Sequence, residues 1–135
     1  MTLPPETLEH LKITFYDHRP VVYLIHLHTP LAHARHYVGS SCNLIERMRC
    51  YRAGNANASA FMRAVHRAGI NWTLARVWTF DTEPHARDFE YLFKKGANGK
   101  QTYKSSRHCP LCMRATMAHV AAAAKRRRSA QLVMA

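Results

Sequence analysis

A chain of 135 residues can bury one modest core but is too short for two domains. Its 20 lysines and arginines against 8 acidic residues give a net charge of +12 and a pI near 10.2, the electrostatic footprint of a protein that meets a polyanion, so nucleic acid is the expected partner. No stretch approaches the roughly 20 apolar residues of a spanning helix, and Met1 to His10 has neither a basic start nor an apolar run. Membrane association and secretion are therefore not expected, and a cytoplasmic location is, or a nuclear one in a eukaryote.

Residues 1–20 read as an N-terminal extension. Pro4 to Lys12 predicts a short helix with Leu8 and Leu11 on its packing side, and Asp17 to Pro20 breaks the chain before the next element. Val21 to His28 is rich in β-branched and aromatic residues and predicts a strand that Thr29-Pro30 ends. A second short run opens at Tyr37-Val38 and stops at Gly39, which makes a β-hairpin with Tyr23 and Tyr37 on neighbouring strands. His26 and His28 alternate with Ile25 and Leu27, so they take the other face of the first strand; His33 and His36 lie nearby on the hairpin.

Asn43 followed by Glu46 is a capping-box pattern, and Leu44, Ile45 and Met48 supply the apolar stripe of the helix it opens. Arg47 and Tyr51, four apart, share a face of that helix, which ends at Ala53-Gly54-Asn55. Ser59 to Ala68 predicts a second helix with Phe61, Ala64, Val65 and Ala68 inward and Arg63 and Arg67 outward. Trp72 to Phe80 predicts the third strand, its tryptophans in the core or under a helix. Pro84 opens a helix with Ala86, Phe89, Leu92 and Phe93 buried, Glu90 beside that stripe and Asp88 away from it.

Lys94 to Arg107 is basic and turn-rich, a loop suited to lie along a phosphate backbone. Cys109 and Cys112 have the spacing of half a zinc site, which His119, or Cys42 and Cys50, would complete; with no second CxxC pair in the chain, they are assigned to packing or a loop. Ala115 to Lys125 predicts a helix that leads into the basic run Lys125 to Arg128. The whole predicts a single α/β domain. A small three-stranded antiparallel or mixed sheet flanked by helices occupies residues 21–100, and residues 101–135 form a basic loop, helix and tail.

Residues 21–95 resemble the GIY-YIG nuclease family. Val21-Val22-Tyr23 looks like its first motif, with two valines where the family has glycine and isoleucine, and Tyr37-Val38-Gly39 looks like its second. Arg47 follows Gly39 by eight residues and Tyr51 follows Arg47 by four, as the family's arginine and the aromatic or histidine after it do. Glu90 looks like the family's single glutamate on a later helix, while the asparagine that many members carry is left unassigned, Asn98 standing only eight residues on.

The resemblance implies a metal-dependent endonuclease that hydrolyses DNA phosphodiester bonds at a single-metal site. It implies catalytic roles for Tyr23, Tyr37, Arg47, Tyr51 and Glu90, with Glu90 as ligand of Mg²⁺ or Mn²⁺. Arg47 would clamp the scissile phosphate with its planar fork. Either Tyr23 or Tyr37 would act at the water, and since a free phenol has a pKa near about 10, positive charge close by would have to lower it. Phosphate contacts are expected from Gly39, Ser40, Arg49, Arg63, Lys94 and Lys104. The alternative is a non-catalytic nucleic-acid-binding module on the same fold. Nothing in the residues chooses among single-stranded, duplex and branched DNA.

Overall fold

The computed structural model describes residues 16, 18–95 and 105–134. The helix expected near the N-terminus and most of the basic loop, Lys104 and Asn98 included, lie outside them. A three-stranded antiparallel sheet flanked by helices forms a small α/β domain. Its elements, in chain order, are β1 (Val21–Leu31), β2 (Ala34–Ser41), α1 (Leu44–Ala53), α2 (Ala60–Arg67), β3 (Trp72–Thr79), α3 (Glu83–Lys95), α4 (Ser105–His108) and α5 (Pro110–Met134).

The strand order is β2-β1-β3, so β1 is central and pairs with its hairpin partner on one side and with β3 on the other. Helices cover both faces, which is why β1 is buried at consecutive positions rather than alternate ones. On one face Val21, Tyr23, Ile25 and Leu27 pack against Leu44, Met48 and Tyr51 of α1 and Met62 and Val65 of α2. On the other, Val22, Leu24 and Val38 pack against Ala86 and Phe93 of α3 and against Cys109.

β1 runs through Thr29-Pro30 to Leu31 instead of ending there. The ladder to β3 stops at Leu27↔Trp72, and the ladder to β2 is irregular between His26 and Leu31. Pro30, which has no N–H to give, therefore sits where regular pairing has lapsed. Pairing resumes at Leu31↔Ala34 around a two-residue turn whose Ala32 takes φ +53°, the positive φ that tight hairpin turns demand.

The Asn43 cap forms as expected, its side chain accepting from the Glu46 N–H at 3.4 Å. In α2 the buried seam is Met62 and Val65 rather than the wider Phe61-to-Ala68 face; Ala68 is exposed, and Phe61 is half-buried because it lies against Tyr37. In α3 the buried positions are Ala86 and Phe93, with Phe89 between them against Trp78. Leu92, expected inside, falls off this narrow stripe and is 46% exposed. α5 begins at Pro110, where a missing N–H costs a helix nothing, and so takes in Cys112. No described helix is long and apolar enough to cross a membrane.

Candidate active site

Gly39 lies directly opposite Tyr23 in the β1–β2 ladder, and the Tyr23 ring rests on it. A Cβ at position 39 would come within 2.6 Å of Tyr23 Cζ and 2.9 Å of Cε2, closer than such atoms approach. The glycine of the second tyrosine motif is thus the seat of the tyrosine of the first. Seated there, Tyr23 places its hydroxyl 2.6 Å from that of Tyr51 on α1, and both side chains are almost wholly buried.

One helical turn before Tyr51, Arg47 donates from Nη2 to the Tyr51 hydroxyl at 3.2 Å and from Nη1 to the Asn57 carbonyl at 3.1 Å. The i,i+4 spacing makes the first bond local and the α1–α2 connection supplies the second. Tyr37 completes the aromatic group: its ring centroid is 6.5 Å from Tyr23 and 6.0 Å from Tyr51, and it stacks on Phe61 at 5.5 Å with the planes 10° apart. Four residues spread over 28 positions of chain therefore form one cluster on the α1/α2 face.

Glu90 comes from the opposite face. Ser40, adjacent to Gly39 but pointing the other way, donates from Oγ to Glu90 Oε2 at 2.5 Å. Lys94, one turn on, pairs with Glu90 Oε1 at 2.9 Å and lies 5.4 Å from the centre of the Tyr37 ring. Because β2 is an edge strand, Lys94 can reach from α3 round that edge to a tyrosine on the other side. Tyr37, Phe61 and Lys94, with His36, Val38, Phe93 and Ser105, line a cleft of about 270 Å³.

The remaining expected contacts divide. Arg49 faces away and pairs with Glu46 at 2.8 Å. Arg63 is half-buried, and its Nε is buried with no hydrogen-bond partner among the described residues. Asp88 is exposed, as the helix period requires.

Burial pushes the Tyr23 phenol well above its ordinary range, and the neighbouring Tyr51 adds to this. Tyr51 is raised too, again mainly by burial. Partial burial alone would lower Arg47, but its contacts with Tyr51 and Tyr23 outweigh it and hold the guanidinium above its usual value. A tyrosine acting as base would need nearby positive charge to lower it; at Tyr23, removal from water is the larger effect and raises it. Tyr23 is therefore a neutral phenol near neutral pH. Since its folded-state pKa is raised, the stability linked to its proton is complete below the unfolded value of about 10 and is lost as pH rises beyond it. Melting temperature should fall across that alkaline range in the parent protein and fall less in Tyr23→Phe; equal alkaline profiles would show that Tyr23 is not held protonated.

The sequence gives His26 and His36 no metal role, placing His26 on the other face of the first strand and His36 nearby on the hairpin. They are directly opposite each other on β1 and β2, on the face toward α3 and α5, and Cys109 and Cys112 meet them there. Two of the partners proposed for the cysteines are elsewhere: Cys50 lies near Glu46 at 3.8 Å and Cys42 near Glu83. Burial lowers His26, and burial with the nearby His26 and Arg35 lowers His36 to about 4, so both imidazoles are neutral. The CxxC was a visible signal; the strand register that supplies its partners was not.

Comparison of the chain with protein-family models, with curated proteins and with solved structures finds no match in any of the three.

Proposed function

We propose that the protein is a metal-dependent endonuclease of the GIY-YIG type that hydrolyses phosphodiester bonds in DNA. The observation that carries this reading is the fit of Tyr23 onto Gly39, which brings Tyr23, Tyr51 and Arg47 into one hydrogen-bonded row with Tyr37 alongside. Core packing alone needs neither an arginine bonded to a buried tyrosine nor a glycine under another.

The Glu90 carboxylate and the Ser40 hydroxyl are hard oxygen donors, the kind that Mg²⁺ or Mn²⁺ prefers, and Glu90 keeps 20% of its side chain exposed for such an ion. When bound, the ion neutralises charge on the phosphate and stabilises the leaving oxygen. Lys94 holds the carboxylate in its absence, and an exposed i,i+4 pair worth about 0.5 kcal/mol yields readily to a divalent ion. Arg47 binds the non-bridging oxygens of the scissile phosphate. Tyr37, half-exposed and lining the cleft, would hold the attacking water, while buried Tyr23, bonded to Tyr51, would fix Tyr51 and through it Arg47.

The test is a panel of single-stranded, duplex, flap and junction DNA with Mg²⁺, Mn²⁺ or chelator. Metal-dependent cutting of at least one substrate is expected. A binding module on the same fold is the second reading, favoured by the engagement of both Glu90 oxygens, and it prevails if no substrate is cut although DNA binds.

DNA affinity should fall steeply with salt, by about 0.9 in log K per log unit of salt for each phosphate contacted. Lys125, Arg126 and Arg127 are exposed on α5, so deleting Lys125 to Arg128 should flatten that slope by roughly three units, with little change in the rate on bound substrate. An affinity indifferent to a several-fold rise in salt would remove the polyanion from the reading.

A further inference from the structure

We propose that His26, His36, Cys109 and Cys112 form a tetrahedral zinc site that fastens the C-terminal segment to the hairpin. The inference stands apart from the nuclease reading, since it concerns different residues and a different metal.

Geometry carries it. Four ligands at the usual zinc distances, about 2.0–2.1 Å for nitrogen and 2.3 Å for sulfur, stand about 3.3–3.8 Å apart at the corners of a tetrahedron. Four of the six pairs of donor atoms here already have that spacing. His26 Nδ1 is 3.3 Å from His36 Nε2, 3.4 Å from Cys109 Sγ and 3.5 Å from Cys112 Sγ, and Cys112 Sγ is 3.3 Å from His36 Nε2. All four donor atoms lie within 4.8 Å of one another.

The chemistry agrees with the spacing. Two sulfurs and two imidazole nitrogens suit zinc and exclude Mg²⁺ or Mn²⁺, which take oxygen. Cys109 is fully buried, and Cys112 sits near it in the first turn of α5. All four cysteines are thiols, so no disulfide competes for these sulfurs. His36 presents Nε2 to the cluster while its Nδ1 lies 3.0 Å from Ser105 Oγ, the outer hydrogen bond that fixes the ring of a metal-binding histidine.

The site joins distant pieces of chain. Its histidines belong to β1 and β2, Cys109 lies immediately before α5 and Cys112 in its first turn, so the metal would set where the basic helix leaves the domain. His36 and Ser105 also line the cleft that holds Tyr37 and Lys94, which places the clip at the wall of the candidate active site.

Full-length protein purified under reducing conditions without added metal should contain about one zinc per chain by elemental analysis. Replacing the zinc with Co²⁺ should give the strong visible absorption of a tetrahedral site and a thiolate-to-cobalt charge-transfer band. Zinc content should fall below about a tenth per chain in Cys112→Ser and in His36→Ala, and Ser105→Ala should weaken affinity about 10- to 100-fold. His33→Ala, exposed on the hairpin turn, should keep the metal in full. Where a ligand variant does not fold, the cobalt spectrum of the parent chain decides. The proposal is overturned if the parent chain takes up no cobalt, if its cobalt spectrum lacks the thiolate band, or if Cys112→Ser retains a full equivalent of zinc.

Discussion

Glu90→Gln should slow DNA cleavage by about three orders of magnitude while leaving DNA affinity equal to or slightly above that of the parent. The substitution keeps the shape of the side chain and its hydrogen bond from Ser40, and removes only the charge that would hold a divalent ion. A bound metal contributes several kcal/mol to stabilising charge in a phosphoryl transition state, and each ~1.4 kcal/mol is a factor of ten in rate. Affinity does not suffer because Glu90 repels phosphate, and its loss frees Lys94 to meet the backbone. Added Mg²⁺ should restore little, since the defect is a missing ligand. Asp88→Asn, two positions away and exposed, is the control and should cut normally. If Glu90→Gln cuts as fast as the parent and Asp88→Asn is dead, the metal has been assigned to the wrong carboxylate.

Gly39→Ala should lower the melting temperature and damage cleavage together. Its new methyl would overlap the far end of the Tyr23 ring, which is buried and tied to Tyr51 and has no room to retreat. Overpacking of this kind costs about 1–3 kcal/mol, or roughly 3–15 °C in a domain of this size. A displaced Tyr23 drags Tyr51 and Arg47 out of place, and a shift near 1 Å at a reacting phosphate can cost about a hundredfold in rate. Tyr23→Phe in the Gly39→Ala background should not restore stability, because the ring carbon Cζ would still lie 2.6 Å from the new atom. An alanine variant that melts and cuts like the parent would mean that Tyr23 is not anchored to the strand beside it.

Local signals in the sequence were dependable. Asn43 and Glu46 marked the start of α1, the four-residue spacing of Arg47 and Tyr51 placed them together, and Glu90 proved to flank the buried stripe of α3. What depended on register or on tertiary contact could not be read. Leu92 has the right period for the core, yet α3 buries only a narrow stripe and leaves it outside. Pro30 is a strand-breaker by propensity, but β1 runs past it because the ladders on both sides have already become irregular. The neutral state of Tyr23 depends on how deeply its ring is buried, which composition and net charge do not convey. The histidine–cysteine cluster was hidden most completely. Its members are separated by up to 86 positions, and only the cross-strand pairing of His26 with His36 creates the face that the cysteines meet.

A strand covered on both faces loses a safeguard that most hairpins possess. Where one side is wet, sliding by a single residue turns the apolar set toward water and is rejected by solvation alone. In β1 the run Val21 to Ile25 is buried at every position, so a slipped alignment would expose little that the correct one hides. Discrimination must then come from shape. Moved by one residue, the Tyr23 ring would face Val38 or Ser40, and moved by two it would face Tyr37 or Ser41; only glycine leaves it space to lie flat. Gly39 thus acts as the key that selects one alignment of the hairpin from several of similar hydrophobic content, and the fidelity of folding and the assembly of the tyrosine row depend on the same absent side chain.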